Sequence, residues 1–258
     1  MSLRVVIVAL AFCAALFSAY SITSEVRAHG THCVPWDTCG KYYAGNVTCC
    51  APGVGGYIRS KDVSLLDSSD DVVASWMGVL DISGTETWLQ AGFWEGEKPT
   101  GGAPLSTPHL YTEIKRGDAC YPAYGWVDRG LPGGTHDNVY AQYVAGQYEG
   151  YCGGIYVYTW WLRRGSPTNP PMDVNFMQNP FGRIDALTEV HNHTHIEPLT
   201  NQCFGTTSVC SLYSYYGVRY FDYTSWQLWT PKPAFLVSED PYMRIGMQDY
   251  YAFYATKP

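Results

Sequence analysis

The sequence predicts an all-β fold: an antiparallel β-sandwich of jelly-roll or concanavalin-like type, linked by disulfides. Three observations predict it. Charged residues make up 15% of the chain and aromatic residues 16%, with 22 tyrosines, which is the balance of half-buried strands rather than of helices with solvated faces. Short runs of alternating apolar and polar residues follow one another between Gly and Pro clusters, and no stretch keeps a helical period. Once an export signal is taken away, an even set of cysteines remains.

The amino terminus supplies that signal. Arg4 precedes an uncharged apolar run from Val5 to Ala19, and Ala19-Tyr20-Ser21 offers small residues where a signal peptidase reads, so residues 1–21 are expected to be a secretory signal peptide. Cleavage after Gly30 is an alternative site. No other apolar run approaches the roughly 20 residues of a spanning helix, so the expectation is a secreted, extracellular protein with no membrane anchor. The formal charge of -7 comes without any basic stripe, which argues against nucleic acid as a partner.

Loss of the signal removes Cys13 and leaves cysteines at 33, 39, 49, 50, 120, 152, 203 and 210. In an exported chain these are expected to pair, although eight cysteines allow 105 connectivities and sequence does not choose among them. Cys203 with Cys210 and Cys120 with Cys152 are local closures. Zinc is the rival reading, but paired C-x-x-C knuckles are missing. Residues 22–70 read as a Cys-rich, loop-rich amino-terminal segment, because 31–56 holds four cysteines, two prolines and several glycines with little periodicity. Residues 71–258 read as the sandwich domain. Asn46-Val47-Thr48 and Asn192-His193-Thr194 are glycosylation sequons.

Strands are expected at 57–59, 72–80, 86–94, 109–114, 123–127, 138–144, 153–163, 172–178, 183–190, 216–223 and 243–255. The 109–114 run alternates His109, Tyr111 and Glu113 with Leu110, Thr112 and Ile114, the mark of a half-buried strand. The stretch Val72 to Glu95 reads as a hairpin around a turn-prone loop at Asp81-Ile82-Ser83-Gly84-Thr85. That loop would set Trp76 opposite Gln90, Gly78 opposite Trp88, Met77 opposite Leu89 and Val73 opposite Phe93. Leu89, Ala91 and Phe93 then belong to a core face. The other face carries Trp76, Gly78, Trp88, Gln90, Gly92 and Trp94, a groove with one amide at its centre.

Trp76-x-Gly78 followed by Leu89-Gln90-x-Gly92 resembles the signature hairpin of the eqolisin-type glutamic peptidases, secreted acid endopeptidases built as β-sandwiches. Plant neprosins are similar but carry a second Glu where this chain has Gln90. The resemblance implies hydrolysis of polypeptide substrates without a cofactor, with Gln90 donating to the oxyanion and a carboxylate acting as general base and then acid. It lays that carboxylate on Glu189 within Ala186-Leu187-Thr188-Glu189-Val190. Thr188 and Val190 depart from the family there, Asp81 is shifted by one position from the family's turn acid, and Trp94 replaces a second acid. Glu113, on the strand after the hairpin with Tyr111, competes with Glu189 for the role. Trp76, Trp88, Trp94, Tyr111 and Glu113 are the expected substrate contacts.

Two other readings stand beside this one. Indole rings on a β-sheet are what sugar-binding modules stack on, so a non-catalytic extracellular module for polysaccharide fits the same surface. In Glu189-Val190-His191-Asn192-His193-Thr194-His195-Ile196-Glu197 the ionisable groups share parity, and His-x-His on a strand is a metal-ligand geometry, so His191, His193 and His195 are a candidate metal site. Gly-x-Ser-x-Gly, phosphate-binding Gly loops and His-Glu-x-x-His do not occur.

Overall fold

The computed structural model describes residues 40–59, 72–81, 87–117, 124–130, 140–152, 155–179, 182–192, 210–230, 235–239, 244–249 and 252–257. It is an all-β antiparallel sandwich. Fifteen strands are described and every pairing among them is antiparallel. Among the described residues no helix is long and apolar enough to cross a membrane.

The first sheet is built on β3 (Val72–Asp81), β4 (Trp88–Gly96), β5 (Leu105–Lys115) and β6 (Tyr124–Gly130), paired in sequence order. β10 (Gly182–Asn192) joins β3 on its other side, followed by β1 (Gly40–Ala51) and β13 (Phe235–Glu239). The second sheet runs β14 (Arg244–Asp249), β15 (Ala252–Lys257), β11 (Cys210–Phe221), β2 (Val54–Arg59), β7 (Tyr140–Cys152), β8 (Ile155–Arg164) and β9 (Pro171–Met177), with β12 (Trp226–Leu228) paired to β11.

Strand alternation fills the space between the sheets. Val73, Met77, Leu89, Ala91, Phe93, Ile114 and Ile184 enter from the first sheet and meet Val54, Ile58, Trp160, Leu162, Tyr215 and Val218 from the second in one buried cluster. Leu89, Ala91 and Phe93 are fully buried there, as their parity predicts. Buried amides and carboxylates tie the sheets together. Asn175 on β9 donates from Nδ2 to the carbonyls of Trp88 (2.8 Å) and Lys115 (3.0 Å), and Asp81 accepts from the Gln178 backbone N–H (2.8 Å) and the Asn179 amide.

Two expectations change. Residues 40–51, expected as loop, form a strand in the interior of the first sheet between β13 and β10, because ladders on both sides satisfy a backbone whose own sequence lacks alternation. The hairpin register also shifts by two: Trp76 pairs with Gly92, Gly78 with Gln90, Met77 with Ala91 and Val73 with Glu95. The ladder reaches Leu80 opposite Trp88, and the Asp81 N–H donates to the Thr87 carbonyl at 2.8 Å, so the pairing closes across residues 82–86 instead of 81–85, which raises every partner sum by two. A shift of two keeps every side chain on its face.

Candidate active site

The outer face of the first sheet collects the residues that carry chemistry. Glu113 on β5 pairs with Gln90 on β4, Gln90 with Gly78 on β3, and Gly78 with Asp185 on β10. One row across four strands therefore reads Glu113, Gln90, Gly78, Asp185. Asp185 alternates with Ile184 and Ala186, both in the intersheet core, which puts it on the outer face with Gln90. Gly78 places no side chain of its own between the amide and Asp185, and its neighbours pack closely over it: a Cβ there would lie 2.8 Å from the Gln90 Cβ and 3.3 Å from the Trp76 ring.

Hydrogen bonds fix the Gln90 end. Nε2 donates to Glu113 Oε2 at 2.7 Å and to the Tyr111 hydroxyl oxygen at 3.1 Å. The other Glu113 oxygen, Oε1, accepts from the Tyr124 hydroxyl at 3.2 Å. An ionised carboxylate only accepts, so Glu113 turns the nitrogen side of the amide toward itself. Burial, the charge of Glu113 and the hydrogen bond to it, in that order, push the Tyr124 phenol well above the ordinary phenol range, so it stays a donor.

Aromatic rings enclose this network. Trp94 meets Tyr111 edge-on with ring centres 5.3 Å apart and Trp126 at 5.8 Å, while Tyr111 stacks with Trp126 at 6.1 Å. Trp76, Trp94, Tyr111 and Trp126 form a buried cluster with Val47, Val72, Ala74 and Leu105. Along the strands, His109 Nδ1 lies 2.9 Å from Asp128 Oδ1 in one direction, and Lys115 Nζ sits 4.7 Å from the Trp88 ring centre in the other. The expected polar centre is present, but it is shielded: Gln90 is 8% exposed, Glu113 4% and Asp185 6%. Trp76 and Trp94 are each 2% exposed, so neither offers a free ring face. The indole N–H groups of Trp88 and Trp126 are buried and find no hydrogen-bond partner among the described residues.

Of the residues expected from sequence, Gln90, Glu113, Tyr111, Trp76, Trp88 and Trp94 come together on this one face. Glu189 lies on β10 with its backbone opposite Ala74, four residues from Asp185 and so roughly 13 Å further along the strand; its side chain lies outside the described residues. His191 is on the same strand opposite Val72, while His193 and His195 lie outside the described residues. Among those described, no group of three or more His, Cys, Asp or Glu could hold a metal ion. The cysteine pairings also fall outside the described side chains. Asp185, Tyr124 and Trp126 join the site without a motif or a periodicity that marks them in the sequence. Asp185 shares parity with Glu189, and only the register separates them.

No family model and no curated protein matches the chain. Solved structures do. Scytalido-glutamic peptidase with a peptide-based transition-state analogue is 12% identical over 85% of this chain and 99% of its own, with a TM-score of 0.41. The same enzyme with a transition-state analogue inhibitor is 11% identical over 86% and 100%, with a TM-score of 0.44. SCP-B, a member of the eqolisin family in complex with the tripeptide Ala-Ile-His, is 10% identical over 86% and 100%, with a TM-score of 0.39. Glutamic peptidases of the eqolisin type are thus among the solved structures to which this chain is similar.

Proposed function

We propose that the protein is a secreted acid endopeptidase of glutamic-peptidase type, working on polypeptide substrates across the Glu113, Gln90, Gly78, Asp185 row. The observation that carries this reading is the Gln90 amide, held by Glu113 on one side and facing a second carboxylate across a glycine gap. Two strand spacings, roughly 10 Å between backbones, separate Gln90 from Asp185, and a water and a peptide carbonyl would act across that span once the cover is displaced.

In the proposed reaction Asp185, ionised, takes a proton from water as the oxygen attacks the scissile carbonyl. A Gln90 N–H, released from the Tyr111 oxygen, donates to the oxyanion. Protonated Asp185 then gives its proton to the departing amine as the C–N bond breaks, which regenerates the carboxylate. Glu113 orients the amide throughout. The unsatisfied indole donors of Trp88 and Trp126 are groups that main-chain carbonyls of an extended peptide would satisfy. Substrate reaches the row by displacing part of its cover, and the water-poor surroundings strengthen the hydrogen bonds made there.

Digestion of denatured protein between pH 2 and 7, with and without a chelator, tests the reading. Activity is expected on the acid side and insensitive to chelation. Gln90→Ala is expected to lower kcat by on the order of a hundredfold or more, since one oxyanion donor is worth about 2.7 to 4 kcal/mol of transition-state stabilisation. Asp185→Asn is expected to be at least as damaging. If Asp185→Asn cleaves normally and Glu189→Gln does not, the base is Glu189, as the resemblance implies, and the class stands. No cleavage by wild type, together with binding to immobilised polysaccharide, would replace the peptidase with a sugar-binding module.

A further inference from the structure

We propose that Tyr124 is a positioning residue for this site: its hydroxyl holds Glu113 in the orientation that aims the Gln90 amide. The inference rests on the peptidase reading for its consequence, but its physical content is the contact itself. Glu113 sits on the middle strand of three, and each of its oxygens is taken by a donor from a different neighbour, Oε2 by Gln90 on β4 and Oε1 by Tyr124 on β6. A carboxylate held from one side only turns about its last torsion, which is broad and roughly two-fold. Held from both sides it keeps one plane, and the amide keeps one face.

Tyr124 reaches Glu113 diagonally. Its backbone partner is Lys115, and Glu113 pairs with Trp126, so the phenol crosses one residue pair to make the bond. Its ring packs against the aromatic cluster on the same face, which sets the direction of the hydroxyl. Among the described residues, Glu113 faces Gln90 from β4, Tyr124 and Trp126 from β6, and Tyr111 and Lys115 along its own strand, with Asp185 at the far end of the row. Because its phenol is held protonated, Tyr124 remains a donor and the direction of the bond is fixed.

Tyr124→Phe removes the hydroxyl and keeps the packing ring. Carboxyl NMR of Glu-labelled protein, with Glu113 assigned by loss of its signal in Glu113→Gln, reads the contact without any need for activity. Loss of a donor to a carboxylate favours its protonated form, so the Glu113 titration midpoint is expected to move up by about one unit relative to wild type. The Gln90 side-chain N–H signals should shift with it. In peptide hydrolysis the acid limb of the kcat/KM profile should move the same way, which loss of packing alone would not cause. An unchanged Glu113 midpoint and unchanged Gln90 signals overturn the proposal. A shifted midpoint in a protein whose wild type cleaves no peptide leaves the Tyr124 hold standing and removes the peptidase reading beneath it. Should Tyr124→Phe fail to fold, the reciprocal measurement decides: in Glu113→Gln the Tyr124 phenol must ionise at lower pH than in wild type, and no change there overturns the contact.

Discussion

Two glycines of the hairpin do different work although they stand on the same face. A Cβ at Gly92 would fall 1.6 Å from the Ser75 carbonyl oxygen, so β3 itself would have to move. At Gly78 the nearest atom is the Gln90 Cβ at 2.8 Å, with the Leu89 carbonyl oxygen at 3.0 Å. Gly92→Ala is therefore expected to cost on the order of 3 kcal/mol, the upper part of the overpacking range, read as a lower urea midpoint. Gly78→Ala should cost less stability and more activity, because the added methyl stands in the gap between Gln90 and Asp185. Equal stability losses in the two variants would contradict this division. Tyr124 gives the residue scale its pH dependence. Its phenol is raised in the folded chain, so the folded state keeps a proton that the unfolded chain releases near pH 10. The stabilisation is complete below that pH and is lost as pH rises above it. Tyr124→Phe should flatten the fall in melting temperature between pH 9 and 11; the same fall in both proteins would assign it to other groups.

At the scale of the element, the hairpin shows what a strand sequence can and cannot say. Alternation placed Leu89, Ala91 and Phe93 in the core and Gln90 on the other face, since a side chain's face depends on parity alone. The same alternation is blind to a slip of two residues, which moves every partner and no face. Trp76 was therefore expected opposite Gln90 and lies opposite Gly92. The consequence for the site is large: with Gly78 rather than Trp76 beside Gln90, the row runs on to Asp185 with no side chain between, and parity could not distinguish Asp185 from Glu189. The carboxylate on the other side was legible, because Glu113 shares parity with His109 and Tyr111 and opposes Leu110 and Ile114. Tyr124 was not, since a diagonal contact between strands leaves no trace in periodicity. The β4 and β5 ladder has its own test in Asn175, which is fully buried and serves the carbonyls of the Trp88 and Lys115 pair from the opposite sheet. Asn175→Ala removes both bonds and should lower stability by about 1 to 3 kcal/mol, at about 0.5 to 1.5 kcal/mol for each hydrogen bond lost. A loss below about 1 kcal/mol would mean that solvent replaces the amide.

At the scale of the whole molecule, residues 40–59 decide how the two sheets are joined. β1 lies between β13 and β10 in the first sheet, and after a break at Pro52 and Gly53 the chain enters the second sheet as β2, between β11 and β7. Residues 22–70 read as a loop-rich segment because Gly, Cys and Asn interrupt any alternation there. Partner ladders on both sides override that local signal, as they do for strands generally. Val54 and Ile58 from β2 are fully buried in the intersheet core, and Gly56 sits where a Cβ would meet the Met77 side chain at 2.8 Å and the Val218 backbone at 2.9 Å. A chain starting at residue 60 would thus lack an interior strand in each sheet. It would leave β10, β13, β7 and β11 with unpaired edges, a state that favours association between chains over folding within one. The expectation is a protein without a cooperative denaturant transition and with exposed apolar surface, measured by near-ultraviolet circular dichroism and dye binding. A truncated chain that unfolds cooperatively near the wild-type midpoint would show that 40–59 is an appendage after all, and that β10 and β13, or β11 and β7, can close on each other without it.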